Sequence, residues 1–564
     1  MQSVVLDFEK KKTEIRFRRL AQNVVDFVSL PEFNGITANG LQKFMSEVLE
    51  EAWTEFEENP HGLENEFMEW LILDYEDDIA GVSIAQTYLD SADEWELEDW
   101  EMRSLEQWAR SVLAVYEVQE IVSDDRVILR DMVGGDVYHV IAPGIGVGLL
   151  RWSAMLTRLL AVDDLYTLGA ATLIIPRPLL RYVLRIMGHV YRTLRFQGYD
   201  GDWQSFLKAS TLSLRKLVRV MMMAWGMQES DDGAETYYRG YVGPSDGSGS
   251  ESQAQAARAR KLYRSVIRVS DGERALDAVI RGGSGIRVIG SGAEGGSTMA
   301  ELAWIRQLEE SDLSGVAPYS TNDVALIMLE GDAFTVYAET RSALGTCASV
   351  IRKNAAGYLI PRQRGERVGS SRGPGEGERS HAHARIDRIV REAIMEHYRD
   401  WADSPLSVLK GESPRNALAA GIGQKVVEGL LKDIEYHENF KRCIGLPWVD
   451  VEGLWHQVLS AQGSDGKLTA REHSVVGLLD EMMRMDGYTE DQIFATAKMW
   501  YDYVLSASPN VVHAKTWAAA VEYAQAVSED EPVTQASVAQ KYKVSVSTLS
   551  QRYREILGSL SANR

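Results

Sequence analysis

The residues best suited to contact chemistry lie in "VTQASVAQKYKVSVSTLSQRYREI", positions 533 to 556. Ser545, Ser547, Ser550 and Gln551 are short polar types that can hydrogen-bond base edges, and Lys541, Lys543, Arg552 and Arg554 are cations that can neutralise phosphates. Thr534 is a good cap for a helix through "QASVAQKY", in which Val538 and Tyr542 share one face and small Ala539 permits a close approach. Lys543 and Val544 make a short turn. Ser545 then caps a second helix whose Leu549, Tyr553 and Ile556 point inward, leaving Val546, Ser547, Ser550, Gln551 and Arg554 on or near the outer face. Two helices joined in this way, the second with a polar N-terminal face, predict a helix-turn-helix. From 533 onward Lys541, Lys543, Arg552, Arg554 and Arg564 stand against Glu555 alone, a local balance of +4.

The chain as a whole has the opposite sign. Its formal net charge of −22 repels phosphate at long range. That charge is localised, because residues 41 to 110 hold 21 acids against Lys43, Arg103 and Arg110. A solvated outer face on a small helical bundle accounts for it, with an acidic partner-binding surface as the alternative. With 45% hydrophobic and 25% charged residues, the 564-residue chain reads as folded and multi-domain. Cys347 and Cys443 are too few for a disulfide framework or a four-cysteine zinc site, which points to a reducing, cytoplasmic compartment. The start "MQSVVLDFEKKKTEIRFRRL" has no secretory pattern, and no apolar run approaches the roughly 18 residues that span a bilayer, so no membrane partner is expected.

Other candidate chemistry is weaker. Gly290, Gly292 and Gly295 have the spacing of a dinucleotide-binding turn, but the next convincing strand begins near Val324 and folds back as a hairpin, so the run reads as a flexible loop. His381 and His383 lie in an Arg-rich linker, with Glu396 and His397 further on and no cysteine beside them, so no metal is expected. The pairs Asp77-Asp78, Asp124-Asp125 and Asp163-Asp164 lack a companion histidine or an acid-base spacing. No nucleophile elbow, phosphate loop or catalytic cysteine is found; no cofactor is expected, and an enzyme is unsupported.

These residues need elements to hold them. Periodicity predicts an α+β multi-domain chain: an N-terminal helical bundle, two small antiparallel β modules with capping helices, and an all-α C-terminal part ending in the helix-turn-helix. The expected segments are an acidic helical domain (1–115), a β meander plus helix (116–228), a linker (229–262), a β hairpin plus helix (263–360), an Arg/Gly-rich linker (361–385), a helical domain (386–469) and a helix-turn-helix domain (470–564), which the resemblance described next implies is cyclin-like. In the bundle Leu41, Phe44, Val48 and Trp53 recur at helical spacing, as do Trp100, Leu105, Trp108 and Val112; Pro176 and Pro178 open a long helix after the meander.

The stretch from Thr534 to Ile556 resembles the end of the second cyclin-like repeat of the transcription factor B family. Thr534-Gln535, Val538-Ala539, Val544-Ser545, Thr548-Leu549 and Arg552-Tyr553-Arg554-Glu555-Ile556 carry the likeness, and Trp517-Ala518-Ala519-Ala520 resembles the small-residue helix packed in such repeats. Lys543 stands where that family usually has glycine. The likeness covers about 75 residues, without the zinc ribbon or first repeat, so it implies a DNA-facing helix and not a role in initiation. The order of helical start, meander, hairpin and "WADSPLSVLKGESPRNA" also resembles a group of bacterial proteins of unknown function, some with a cysteine-rich SEC-C motif that this chain lacks. Two readings stay open: duplex DNA binding, which for a lone half-site implies a dimer or a partner, and a protein-interaction scaffold using the acidic domain or β modules, in which the helix pair is structural. Burial of Gln551 and Arg554 would exclude the first.

Overall fold

In the computed structural model, residues 2–58, 60–76, 81–146, 149–163, 165–228, 260–294, 297–306, 320–360, 376–459 and 468–562 are described. Contacts divide the chain into two compact units, one of residues 1–247 with 466–564 and the other of residues 248–465. The first unit is thus discontinuous in sequence. Asp77-Asp78, Asp164, Gly295 and the side chains of Val48 and Trp53 lie outside the described residues.

Five helices come first: α1 (Gln2–Val28), α2 (Asn34–Glu58), α3 (Pro60–Leu73), α4 (Ile84–Asp90) and α5 (Asp99–Arg110). Apolar residues at three- and four-residue steps, Leu20, Val24 and Phe27 of α1 and Leu105 and Trp108 of α5, meet Phe44, Leu71 and Tyr88 in one core. Six strands follow: β1 (Leu113–Ser123), β2 (Arg126–Asp131), β3 (Val137–Ile141), β4 (Ala154–Val162), β5 (Leu165–Leu168) and β6 (Leu173–Ile175). β1, β2 and β3 form the expected antiparallel meander, β4 returns beside β1, and β5 sits between β4 and β3. The β3–β5 contact is parallel, at Val140 and Tyr166, and closes the ring into a small Greek-key barrel. At the β2–β3 turn Gly135 takes φ +81°, which a side chain would disfavour, and Asp131 Oδ1 accepts from the backbone N–H groups of Val133 and Gly134, each at 2.7 Å. Helix α6 (Arg177–Phe196), with Pro178 in its first turn, then α7 (Trp203–Ala209) and α8 (Thr211–Gln228), cover the barrel through Val183, Met187, Tyr191, Phe206 and Val218.

Bundle and barrel are joined by buried charge. Most described acids of residues 41–110, among them Glu47, Glu64, Glu94, Glu96 and Asp99, are exposed as expected, but Glu66, Glu69 and Glu101 are only 2%, 7% and 1% exposed. Arginines reach all three: Arg19 of α1 lies 3.3 Å from Glu101, and arginines from later elements reach Glu66 and Glu69. Fully buried Arg158 of β4 pairs with Asp74 and lies 3.6 Å from Glu69; Arg215 of α8 reaches Glu69 at 2.9 Å, and Arg219 reaches Glu66 at 2.6 Å. Burial alone would raise the Glu66 carboxyl, but the adjacent Arg215 and Arg219 guanidinium groups hold it below the usual range. On another strand, buried Arg177 pairs with buried Glu117.

The second unit carries a five-stranded antiparallel sheet in the order β7-β11-β10-β9-β8. Its elements are β7 (Tyr263–Arg268), α9 (Gly272–Gly282), β8 (Ile286–Glu294), β9 (Ser297–Ile305), β10 (Val324–Glu330), β11 (Ala333–Ala338) and α10 (Arg341–Asn354). Leu276 and Val279 of α9 and Cys347 and Ile351 of α10 pack on Leu302, Ile327 and Phe334. Gly290 and Gly292 are therefore not in a loop. Gly290 and Gly292 lie in β8, which pairs with β9 and breaks register between Val288 and Gly290, as a glycine at a bulge does. α11 (Glu376–Trp401) begins ten residues before the expected end of the Arg/Gly-rich linker, placing His381 and His383 on a helix, while residues 361–375 lie outside the described ones. The register is anchored by Arg260, which pairs with Glu339 and Asp387, and by His383 Nδ1, 2.8 Å from Glu339. α12 (Pro414–Ala419), α13 (Gln424–Cys443) and α14 (Glu452–Leu459) complete this unit.

The chain then returns to the first unit with α15 (Ala470–Met485), α16 (Glu490–Ala507), α17 (Ala514–Ser528), α18 (Gln535–Tyr542) and α19 (Val546–Ala562). α17 is the central one: Trp517, Ala518, Ala519, Ala520, Val521 and Ala524 are all buried. Its small residues let neighbouring helices approach, and Trp517 packs 5.5 Å from both Trp500 and Tyr503. Among the described residues no helix is long and apolar enough to cross a membrane.

The bundle–barrel junction can be tested at Arg158. Replacing it by Met leaves Asp74 and Glu69 short of a buried partner, and removal of one member of such a pair costs about 3–5 kcal/mol. Arg158→Met is expected to lower the urea midpoint of the full chain accordingly, and an unchanged midpoint would show that this network does not hold the junction.

Candidate nucleic-acid interface

The helix pair at the C-terminal end is built by local caps. Thr534 Oγ1 accepts the Ser537 N–H at 3.0 Å and Ser537 Oγ accepts the Thr534 N–H at 3.0 Å, so α18 starts with both donors satisfied. It ends at Lys543, which takes the left-handed conformation at φ +56°, ψ +48°. The backbone there takes a geometry that favours glycine, with a lysine in place. Ser545 Oγ accepts the Thr548 N–H at 3.1 Å and so starts α19. Val538, Ala539 and Tyr542 of α18 and Leu549 and Ile556 of α19 are buried against α17, and Tyr553 stands edge-on to Tyr523 at 5.0 Å.

The eight residues singled out from the sequence divide into two sets. Lys541 faces inward: its Nζ lies 2.8 Å from Asp486 and 2.9 Å from Glu522, and its side chain is 14% exposed. Burial would lower its pKa, but those two carboxylates raise it above the ordinary lysine value and keep it charged. Tyr542 donates its hydroxyl to the same Glu522 at 2.6 Å. The expectation that Lys541 neutralises a phosphate is corrected on that ground, since its charge is already matched. Arg552 is likewise engaged, with its guanidinium 4.5 Å above the Trp517 ring and 2.6 Å from Glu555. The remaining residues face out. Lys543, Ser545, Ser547, Gln551 and Arg554 are exposed and Ser550 is half-buried. Gln551 and Arg554 are not covered by the barrel or the bundle, and Arg554 has no ion-pair partner among the described residues. Gln551 Nε2 reaches Glu555 at 3.2 Å, a contact that an exposed side chain can exchange.

Residues that sequence reading missed hold this surface in place. Arg192 of α6, 3% exposed, donates to both carboxylate oxygens of Glu531 at 2.7 and 3.0 Å and lies with its guanidinium 3.9 Å above the Tyr488 ring. His189 also reaches Glu531, at 3.0 Å, and Arg185 reaches Glu529 at 3.2 Å. A Cβ on Gly188 would sit 1.9 Å from the Gly487 carbonyl oxygen, so α6 and the turn before α16 meet backbone to backbone. Burial pushes the Glu531 carboxyl up, but Arg192 and His189 outweigh it and hold it below the usual range. The one sequence sign of this junction is basic character on α6, at Arg185, His189 and Arg192 in i, i+4, i+7 register.

Among the described residues no group of three His, Cys, Asp or Glu side chains gathers as a metal site. No family model matches the chain. No solved structure matches it either. A stretch of 91 residues, 16% of the chain, is similar at 36% identity to the uncharacterized protein YccF of Bacillus subtilis (strain 168) and covers 25% of that protein. The chain thus spans about a quarter of the length of the curated relative it matches.

Two outcomes follow from this geometry. A non-glycine residue in the left-handed region is strained by about 1–2 kcal/mol, part of which glycine gives back as unfolded-state entropy. Lys543→Gly is therefore expected to stabilise the full chain by up to about 1 kcal/mol in urea unfolding, and Lys543→Ala is not. For Glu531 the folded carboxyl titrates below its unfolded value of about 4.3. Its contribution is complete above that pH and is lost as pH falls through the lowered folded value. The stability gap between the native chain and Glu531→Gln should be widest near neutral pH and close on acidification below about 4; a gap independent of pH would contradict the Arg192–Glu531 pairing.

Proposed function

We propose that this protein binds duplex DNA, with the exposed flank of α19 as the reading surface of a helix-turn-helix. The carrying observation is the exposure of Ser547, Gln551 and Arg554, which stand at i, i+4 and i+7 and so form one stripe on α19, with Lys543 at the adjoining turn. Ser547, Ser550 and Gln551 would meet base edges in the major groove, and Lys543 and Arg554 would meet phosphates. Lys541 and Arg552 serve instead as inward anchors of the helix pair. The likeness to the cyclin-like repeat supports the same face. With two phosphate-facing cations rather than four, the proposed contact is weak for a single copy, which favours a dimer or a partner on DNA.

A second reading treats the helix pair as a packing unit of an interaction scaffold. The observation that favours it is the engagement of Lys541 and Arg552 with Glu522, Asp486 and Trp517, which ties much of the basic character of the segment to folding.

The two separate in a salt series. Because α16 and the turn before it pack on α6, the measurement belongs on the full chain rather than on its C-terminal piece. Binding of mixed-sequence duplex should weaken with salt, and Arg554→Ala and Lys543→Ala should each reduce the salt slope by about one unit. Lys541→Met should lower stability and leave the slope unchanged wherever the chain is folded. Absence of duplex binding by the full chain at low salt would overturn the DNA reading in favour of the scaffold.

A further inference from the structure

The barrel of the first unit has a mouth of its own, remote in sequence from the helix pair. Tyr116 of β1, Asp131 of β2, Tyr138 of β3 and Tyr166 of β5 line one cavity of about 230 Å³ there, with Arg110 at the rim. They share it because of register. Tyr116 lies opposite Asp131, Leu129 lies opposite Tyr138, and Val140 lies opposite Tyr166, so the period of two puts all four on the same face of the closed sheet.

Tyr138 stands nearly perpendicular to both neighbouring rings, at 87° and 5.8 Å from Tyr116 and at 84° and 5.0 Å from Tyr166. The cavity is therefore walled by aromatic surface in two orientations. The polar groups in it are under-used. Tyr116 is 5% exposed, and its hydroxyl has no hydrogen-bond partner among the described residues. The same holds for the hydroxyls of Tyr138 and Tyr166. Asp131 Oδ1 is occupied by the Val133 and Gly134 N–H groups, whereas Oδ2 accepts nothing from the described protein. Asp131, Tyr138 and Tyr166 are half-buried, and a carboxylate set among aromatic rings is complemented by a group that supplies donors or positive charge.

The charge around the cavity selects between those. Arg110, the rim cation, is held by Glu106 at 2.7 Å with its side chain 77% exposed, so it points its charge to solvent. Asp131 remains as the carboxylate inside. Burial raises its pKa, the Gly134 and Val133 N–H groups work against that, and the nearby Asp136 adds to the rise. Burial and Asp131 likewise push the Tyr138 phenol up to about 12, so that ring stays neutral and keeps its electron-rich faces.

We propose that the barrel mouth binds a small organic ammonium ion, held over the faces of Tyr116, Tyr138 and Tyr166 and paired with Asp131 Oδ2. Aromatic walls attract a cation through the ring quadrupole, and alkylated ammonium groups suit them best because they are cheaply desolvated. A volume of about 230 Å³ lies below the range of drug-sized pockets, roughly 300–1,000 Å³. It fits a head group rather than an extended ligand. The same head can arrive as a free small molecule or on a methylated lysine side chain, and the test distinguishes the two.

The full chain is titrated calorimetrically with choline, with its neutral isostere 3,3-dimethylbutan-1-ol, and with a short peptide containing trimethyllysine. Choline is expected to bind at least about tenfold more tightly than the neutral isostere, as a cation on aromatic faces requires. Asp131→Asn keeps Oδ1 as acceptor for the turn and is expected to weaken choline by about tenfold. Tyr138→Leu, at a half-buried position, should abolish the preference for charge while circular dichroism reports an intact fold. Binding of the peptide but not choline assigns the ammonium to a protein partner. Equal binding of choline and the isostere, or binding of neither choline nor the peptide, overturns the proposal.

Discussion

The candidate interface depends on where Arg192 sits. A buried guanidinium must have its donors matched, and here Glu531 takes two of them, the Asp486 carbonyl accepts another at 3.3 Å, and the Tyr488 ring covers one face. Because α6 is itself packed on the barrel, this clasp fixes the C-terminal helices against a rigid support. The contact continues from Asp486 to Lys541, from Lys541 to Glu522, and from Glu522 to Tyr542. One line of ionic and hydrogen-bonded groups thus runs from α6 to the turn that sets the direction of α19. The outward stripe of Ser547, Gln551 and Arg554 is the far end of that line.

The same device recurs in the bundle–barrel junction, where Arg158, Arg215 and Arg219 meet Glu66, Glu69 and Asp74. Buried pairs of this kind gain little over well-packed apolar residues, because desolvation offsets most of the attraction. Their effect is on specificity of arrangement: a shifted helix would leave a charge alone in a low dielectric. Because each such pair contributes nothing to the sum, the net charge of −22 is carried by the residues outside these pairs.

What could be read from the sequence follows the range of the interactions. Period and caps are local, so α6, α18 and α19, the β1–β2–β3 meander and the inward positions Val538, Leu549 and Ile556 were all legible. The parallel pair Val140–Tyr166 was not, because the residues between β3 and β5 carry no mark of their eventual neighbour. The glycine run misled for a related reason. Gly290 and Gly292 report backbone freedom, and a bulged strand uses it as readily as a loop. Lys541 and Arg552 were assigned to phosphates on residue type alone. Their partners Asp486 and Trp517 lie 55 and 35 residues upstream, and nothing local in 533–556 names them.

The discontinuity of the first unit has a consequence in time. Arg192 and Glu531 are 339 residues apart, and a ribosome adding about 5–20 residues per second takes roughly 20–70 seconds to cover that distance. Throughout that interval the barrel and α6 have left the ribosome while their cover is still being made. The face of α6 carrying Gly188 and Arg192 is then a surface built for contact with nothing yet to contact. The step that ends its exposure is the synthesis of residues 466–564, which belong to the same compact unit.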